Sequence, residues 1–168
     1  MDKLWSPWRS NYIQSFKHKS DKEACVFCEA PQLAMNDDKS LVVYKSEKCF
    51  AMLNLYPYNA GHLMVIPYRH LCDIIDLTDA EFKDITDVIK LSKKAVDSVM
   101  KPQGYNIGAN IGKAAGAGID QHIHFHMVPR WNGDTNFMPV IGEVKVISQD
   151  LLAMKKDLIK AYDAVTKE

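Results

Sequence analysis

Three of the chain's six histidines stand at alternate positions in His122-Ile123-His124-Phe125-His126. Imidazole changes charge near neutral pH, binds metals and can attack phosphorus. Successive side chains of a strand point to opposite faces. Read as a strand, the stretch from Gln121 to Arg130 sets three imidazoles on one face and Ile123, Phe125 and Met127 on the other. Read as a helix, steps of two residues fan the histidines through about 200° and leave no shared face. The strand reading yields one chemical face and one core face. Three uses then compete: a polar row on an exposed strand, a three-histidine metal site, and nucleophilic attack on phosphorus by one ring. An attacking imidazole needs one neutral nitrogen presented to the substrate and the other held by an acceptor. Flanking groups can then protonate the leaving oxygen.

Two neighbouring patterns bear on that choice. The loop Gly112-Lys113-Ala114-Ala115-Gly116-Ala117-Gly118 leads into the histidines and has almost no bulk. Its backbone N–H groups can approach an anion closely. Many glycine loops are only turns, but this one's position favours phosphate chemistry. Lys113 reads as a solvated loop lysine. Cys25-Val26-Phe27-Cys28 has the spacing that puts two thiolates on one tetrahedral metal. It is half a site, and a pair of buried or redox-active thiols is the alternative.

The elements that must position these residues follow from periodicity and punctuation. Leu41–Lys45 and Cys49–Leu53 are β-rich runs split by Ser46-Glu47-Lys48, a hairpin pattern. The turn cluster Tyr56–Gly61 precedes a strand over His62–Ile66, ended by Pro67. Thr78–Met100 reads as a helix, with Thr78 and Glu81 as a capping box and Pro102 and Gly104 as the stop. Phe82, Ile85, Ile89, Val96 and Val99 recur along it at helical spacing. Tyr105–Ile111 is strand-like, and a second helix is expected over Gln149–Val165. The order predicts an α+β fold: an antiparallel sheet of about five strands, one long helix and a C-terminal helix.

At 168 residues the chain suits one domain with an arm: residues 1–24 as the arm, with Trp5, Trp8, Tyr12 and Phe16, and 25–168 as the domain. Acidic and basic residues balance at 21 each. That balance argues against nucleic acid or an anionic membrane as partner, so phosphate binding must be local. No apolar run approaches the roughly 18 residues that span a bilayer, and the N-terminus lacks a signal-peptide core. A cytoplasmic protein is expected. Four cysteines in such a chain read as thiols or metal ligands rather than a disulfide framework.

His122-x-His124-x-His126-x-x-Pro129-Arg130 resembles the signature of the histidine triad (HIT) family of nucleotide hydrolases and transferases. The resemblance runs from about Cys25 to Trp131. It is closest to the bacterial branch acting on diadenosine tetraphosphate, through Asn54–Pro67 and Val128–Asp134. It implies that His124 attacks the α-phosphorus and forms a nucleotidyl-histidine, which water or inorganic phosphate then resolves. It implies that the backbone carbonyl of His122 orients His124, that His126 lies beside the phosphates, and that His62 stands near the triad. On residues alone, His62 equally opens an ordinary strand. Asn54 matches a ribose-binding asparagine or is a turn residue; Phe50 and Met52 touch the base or belong to the core. Asn110, Gly116, Gly118 and Ile119 correspond to phosphate contacts. Many relatives carry Gln followed by Ser or Thr where this chain has Gly118-Ile119, so backbone N–H groups must serve there. Trp131 is either a platform for a second purine or a packing residue.

The same resemblance extends the cysteine pair to a structural Zn²⁺ site of Cys25, Cys28, His70 and His122, with no catalytic metal. Cys49 and Cys72 read as packing residues, with Cys72 as a substitute ligand. The expected activity is cleavage of dinucleoside polyphosphates by hydrolysis or phosphorolysis. The alternatives are a purine nucleoside phosphoramidate hydrolase and a low-turnover zinc- or nucleotide-binding module. Relatives of this kind are commonly homodimers, so a dimer or tetramer is expected.

Overall fold

The histidine segment runs into an inner strand of a five-stranded antiparallel sheet. In the computed structural model, residues 25–134 and 150–167 are described. The strands are β1 (Val42–Lys45), β2 (Cys49–Leu53), β3 (Leu63–Pro67), β4 (Gly104–Ala109) and β5 (Phe125–Arg130), in the order β1-β2-β3-β5-β4. The helices are α1 (Val26–Glu29), α2 (Asp79–Met100) and α3 (Leu151–Val165). This is the expected α+β architecture. The arm over 1–24 and Gln149 of the second expected helix lie outside the described residues.

Alternation along the strands builds two different faces. Cys49, Ala51, Leu53, Leu63, Val65, Phe125 and Met127 enter one buried cluster, where Ile85, Val88 and Val96 of α2 and Leu158 and Tyr162 of α3 cover them. Phe50, Met52, Met64 and Ile66 point the other way and pack with Phe27 and Ala30. β2 and β3 are therefore buried on both sides. Phe82, placed on the periodic stripe of α2 by its spacing, is 43% exposed and meets Phe125 only at the rim.

Local chemistry fixes the ends of α2. The Thr78 hydroxyl accepts from the Glu81 N–H, and the Glu81 carboxylate accepts from the Thr78 N–H, the expected capping box. The same carboxylate takes both Nε and Nη2 of Arg69, at 2.9 and 2.8 Å. These bonds, the Arg69 pair first, hold Glu81 down at about 2. The helix stops at Lys101 in the left-handed region, φ 48°, just before Pro102. Asp84 ties the β1–β2 turn to this helix, accepting from the Ser46 hydroxyl at 2.7 Å and the Lys48 N–H at 2.9 Å. Gly61 is favoured by its left-handed backbone, φ 70°, and a Cβ there would also displace the flexible end of Met100.

Two expectations need correction. The ladder of β5 starts at Phe125, not at Gln121, because the preceding residues bond elsewhere: the Ile123 N–H donates to Leu71 O at 2.7 Å and the His122 ring to Pro67 O. Likewise β4 ends at Ala109, ahead of a turn at Lys113–Ala115 that Gly112 and Gly116 bracket with positive φ. No helix among the described residues is long and apolar enough to cross a membrane.

Candidate active site and metal centre

The three triad rings are buried, at 0, 5 and 8% exposure for His122, His124 and His126, while Ile123, Phe125 and Met127 join the helix-covered core. The alternation read from the sequence holds even where the ladder is absent. What each ring can do depends on which of its nitrogens is already committed.

His124 directs Nδ1 at the backbone oxygen of His122, 2.9 Å away. A carbonyl only accepts, so the hydrogen sits on Nδ1 and the lone pair on Nε2. Burial pushes His124 below the ordinary imidazole range, against the raising effect of that carbonyl. The neutral, nucleophilic form is therefore favoured at pH 7. The next ring, His126, lies 4.7 Å from His124 between centroids.

A chain of donors sets the tautomer of His126. The Tyr58 N–H donates to Nδ1 of His62 at 3.0 Å, and Asn54 Nδ2 lies 3.4 Å from the same nitrogen. Nδ1 of neutral His62 is therefore an acceptor, and its hydrogen is on Nε2. That Nε2 lies 3.0 Å from Nδ1 of His126, so the hydrogen of neutral His126 is on its Nε2. One triad ring thus presents a lone pair and its neighbour presents a donor. His62 is fully buried behind His126 and acts on it.

His122 is used the other way round. Its Nε2 donates to Pro67 O at 2.9 Å, and its Nδ1 lies 3.3 Å from Cys25 Sγ and 3.6 Å from Cys28 Sγ. His70 Nδ1 lies 3.4 Å from Cys28 Sγ. The four ligand atoms fall within 4.8 Å of one another. Tetrahedral bonds of about 2.3 Å to sulfur and 2.0–2.1 Å to nitrogen separate those atoms by about 3.5 Å, so the spacing suits one small cation. The committed Nε2 of His122 is the outer hydrogen bond that orients a metal-binding imidazole. Burial, then the neighbouring Cys25 sulfur, pushes the Cys28 thiol up to about 11, a cost that a bound cation removes. Cys72 is exposed and outside this cluster, which corrects both its packing role and its use as a ligand. Cys49 is buried, as expected of a packing residue.

The remaining site residues are spread more widely. Asn54 takes the Tyr56 N–H on Oδ1 at 2.9 Å, an Asx turn, and its amide faces His62. Phe50 is fully buried against Tyr68, and Met52 is 7% exposed beside it. Asn110, Gly116 and Ile119 are half-buried and Gly118 is exposed, in the segment that precedes the triad in the chain. Trp131 is half-buried just beyond the far end of β5 from His124. Sequence reasoning missed Asp134. It takes Nε and Nη2 of Arg130 and the Trp131 N–H, and Asn59 donates to it at 2.8 Å. Arg130 of the motif is thus a clamp on the loop after β5. A carboxylate four residues after an arginine was the available signal.

Residues 36–133 match the model of the HIT domain, more than half of the chain. The chain belongs to the HIT family. AP-4-A phosphorylase of Mycobacterium tuberculosis is similar to this HIT chain, with 42% identity over 154 residues, 89% of this chain and 78% of the relative. Adenosine 5'-monophosphoramidase of Schizosaccharomyces pombe is 30% identical over 109 residues, 65% of this chain and 76% of its own. Among solved structures, a Zn-bound histidine triad family protein from Mycobacterium smegmatis superposes with a TM-score of 0.68 at 27% identity, covering 86% of this chain and 96% of that one. A hypothetical histidine triad nucleotide-binding protein from Sulfolobus tokodaii gives 0.67 at 25% identity, over 84% and 94%.

Proposed function

We propose that this HIT protein cleaves dinucleoside polyphosphates, diadenosine tetraphosphate foremost, through a nucleotidyl-histidine on Nε2 of His124. The observation that carries the reading is the 2.9 Å contact from His124 Nδ1 to the His122 carbonyl, which leaves the lone pair on Nε2. Nε2 attacks the α-phosphorus, and the bond from phosphorus to the bridging oxygen breaks. His126 Nε2–H donates a hydrogen bond to the departing polyphosphate, which leaves as the anion, and keeps its proton. His62, donating from Nε2 to Nδ1 of His126 at 3.0 Å, keeps the hydrogen of His126 on the nitrogen that faces the leaving group. Inorganic phosphate or water then attacks the same phosphorus, and the P–N bond breaks to regenerate His124. Likeness to the M. tuberculosis phosphorylase favours phosphate as acceptor.

The nucleotide is read as lying along the triad approach. Asn54 serves the ribose, Phe50 and Met52 back the base, and Asn110, Gly116, Gly118 and Ile119 line the phosphate path. Trp131, at the other end of β5, serves the far purine. Zinc is the cation that two thiolates and two imidazoles suit, held by Cys25, Cys28, His70 and His122. Four protein ligands leave no open position, so the metal supplies rigidity under the triad. We read residues 25–168 as one domain with 1–24 as an arm, a cytoplasmic homodimer or tetramer.

The test is to incubate the zinc-loaded chain with diadenosine tetraphosphate, with and without phosphate, and to identify products and any protein adduct. ADP plus ATP marks phosphorolysis, and AMP plus ATP marks asymmetric hydrolysis. Rapid-quench mass spectrometry should find AMP on His124, and no adduct and no turnover would overturn the reading. The second reading, hydrolysis of an adenosine phosphoramidate, rests on the S. pombe relative and on a donor at His126 that suits a departing amine. A kcat/KM for the phosphoramidate above that for the dinucleotide would favour it.

A further inference from the structure

Phe27 sits between the two cysteines of the metal cluster, yet its ring lies against the nucleophile. The centroid is 4.9 Å from that of His124 with the planes at 51°, and 5.7 Å from His122 at 87°. It is 3% exposed and is the one buried residue of α1. A four-residue helix without a side-chain cap has no stability of its own. Its place is set by what it is attached to. Cys25 and Cys28 turn into the metal cluster, and Phe27 turns into the sheet-face cluster of Phe50, Met52, Met64 and Ile66.

The His124 ring needs such a neighbour. The hydrogen bond from Nδ1 fixes one point of the imidazole but not its plane, and the terminal torsion of histidine is broad. The plane is bounded by His126 at a centroid distance of 4.7 Å and by Phe27 at 4.9 Å. We propose that Phe27 is a positioning residue of the reaction: it fixes the plane of the His124 imidazole so that the Nε2 lone pair is aimed at phosphorus. The metal cluster then reaches the nucleophile twice, through the His122 carbonyl and through the aromatic ring between its cysteines. This inference rests on His124 being the nucleophile.

The experiment compares Phe27→Leu, which removes the ring, with Phe27→Tyr, which keeps it, in the full zinc-loaded chain. Phe27→Met replaces the leucine variant if that one does not fold. For diadenosine tetraphosphate, the aliphatic variant should lose about tenfold or more in kcat, with KM within about twofold of the parent. Zinc content should be unchanged, and Phe27→Tyr should restore most of the rate. Wild-type kcat in a folded, zinc-bound aliphatic variant overturns the proposal. So does a loss that tracks zinc content or melting temperature, or one that the tyrosine does not repair. A readout independent of turnover is the orientation of the His124 ring, read from residual dipolar couplings of its C–H signals in histidine-labelled protein. It should move in the aliphatic variant and return in Phe27→Tyr. Unmoved His124 signals overturn the proposal. If the wild type forms no adduct and turns over no dinucleotide, the functional reading fails, and the His124 signals still decide whether Phe27 sets that ring.

Discussion

His122 and His124 are two residues apart, equally histidine and both buried, yet they are mounted in opposite senses. His122 gives Nε2 to Pro67 O and turns Nδ1 to the cysteine sulfurs; His124 gives Nδ1 to the His122 carbonyl and keeps its lone pair on Nε2. The side chain of His122 belongs to the candidate metal cluster, while its backbone oxygen accepts from the ring of His124. The comparison teaches that an imidazole's task is assigned by the acceptor that takes its other nitrogen, more than by its place in a motif.

Substitution should break the comparison cleanly. His124→Ala should lower turnover by at least about a thousandfold and abolish the adduct, with metal content at the parental level by elemental analysis. His122→Ala keeps the backbone carbonyl, so it should lose metal and melting temperature first; loss of adduct with full metal retention would contradict the division of labour. His126→Ala should cost about 10²–10³-fold in kcat on diadenosine tetraphosphate. On a nucleotide ester whose leaving group delocalises its charge, the loss should be much smaller, and equal losses would reject His126 as the hydrogen-bond donor to the leaving group.

Smaller effects sharpen the picture. Cys25→Ala should bind less zinc and melt at least several degrees lower, and calorimetry with and without chelator checks both. Burial holds His124 below its ordinary value. The neutral nucleophile should therefore persist, and the acid limb of kcat/KM should fall below the usual imidazole value of about 6.5. A limb above that value would contradict the assignment.

Glu81 links the folding of α2 to the metal side, because it grips Arg69, the neighbour of His70. Its folded value of about 2 lies below the ordinary 4.5. The ionised form is favoured by folding, so this stability is present above pH 4.5 and lost as the pH falls toward 2. Acid titration of the melting temperature should be shallower in Glu81→Gln than in the parent. Thr78→Ala, removing half of the cap, should cost only about 1 kcal/mol in denaturant unfolding.

Much of this was legible because it rests on short-range rules. The capping box of Thr78 and Glu81, the alternation through His122–Met127 and the Cys25-x-x-Cys28 spacing each depend on residues a few positions apart. Other features depend on chain segments that meet only in the fold. The turn of helix inside the cysteine pair was missed, since four residues carry no periodicity. The strand start at Phe125 was misplaced because Leu71 and Pro67 claim the preceding groups. The hydrogen bonds that Ser46 and Lys48 donate to Asp84, across 38 and 36 residues, leave no pattern that spacing alone would single out.

The order of residues by itself determined that three imidazoles share a face opposite three apolar side chains, because strand geometry has a period of two. It also determined that two thiols could share a cation. Only the tertiary structure decided which nitrogen of each ring is spent, because the acceptors at Pro67, His122 and His126, and the Tyr58 donor to His62, are brought to the rings by packing of the whole sheet.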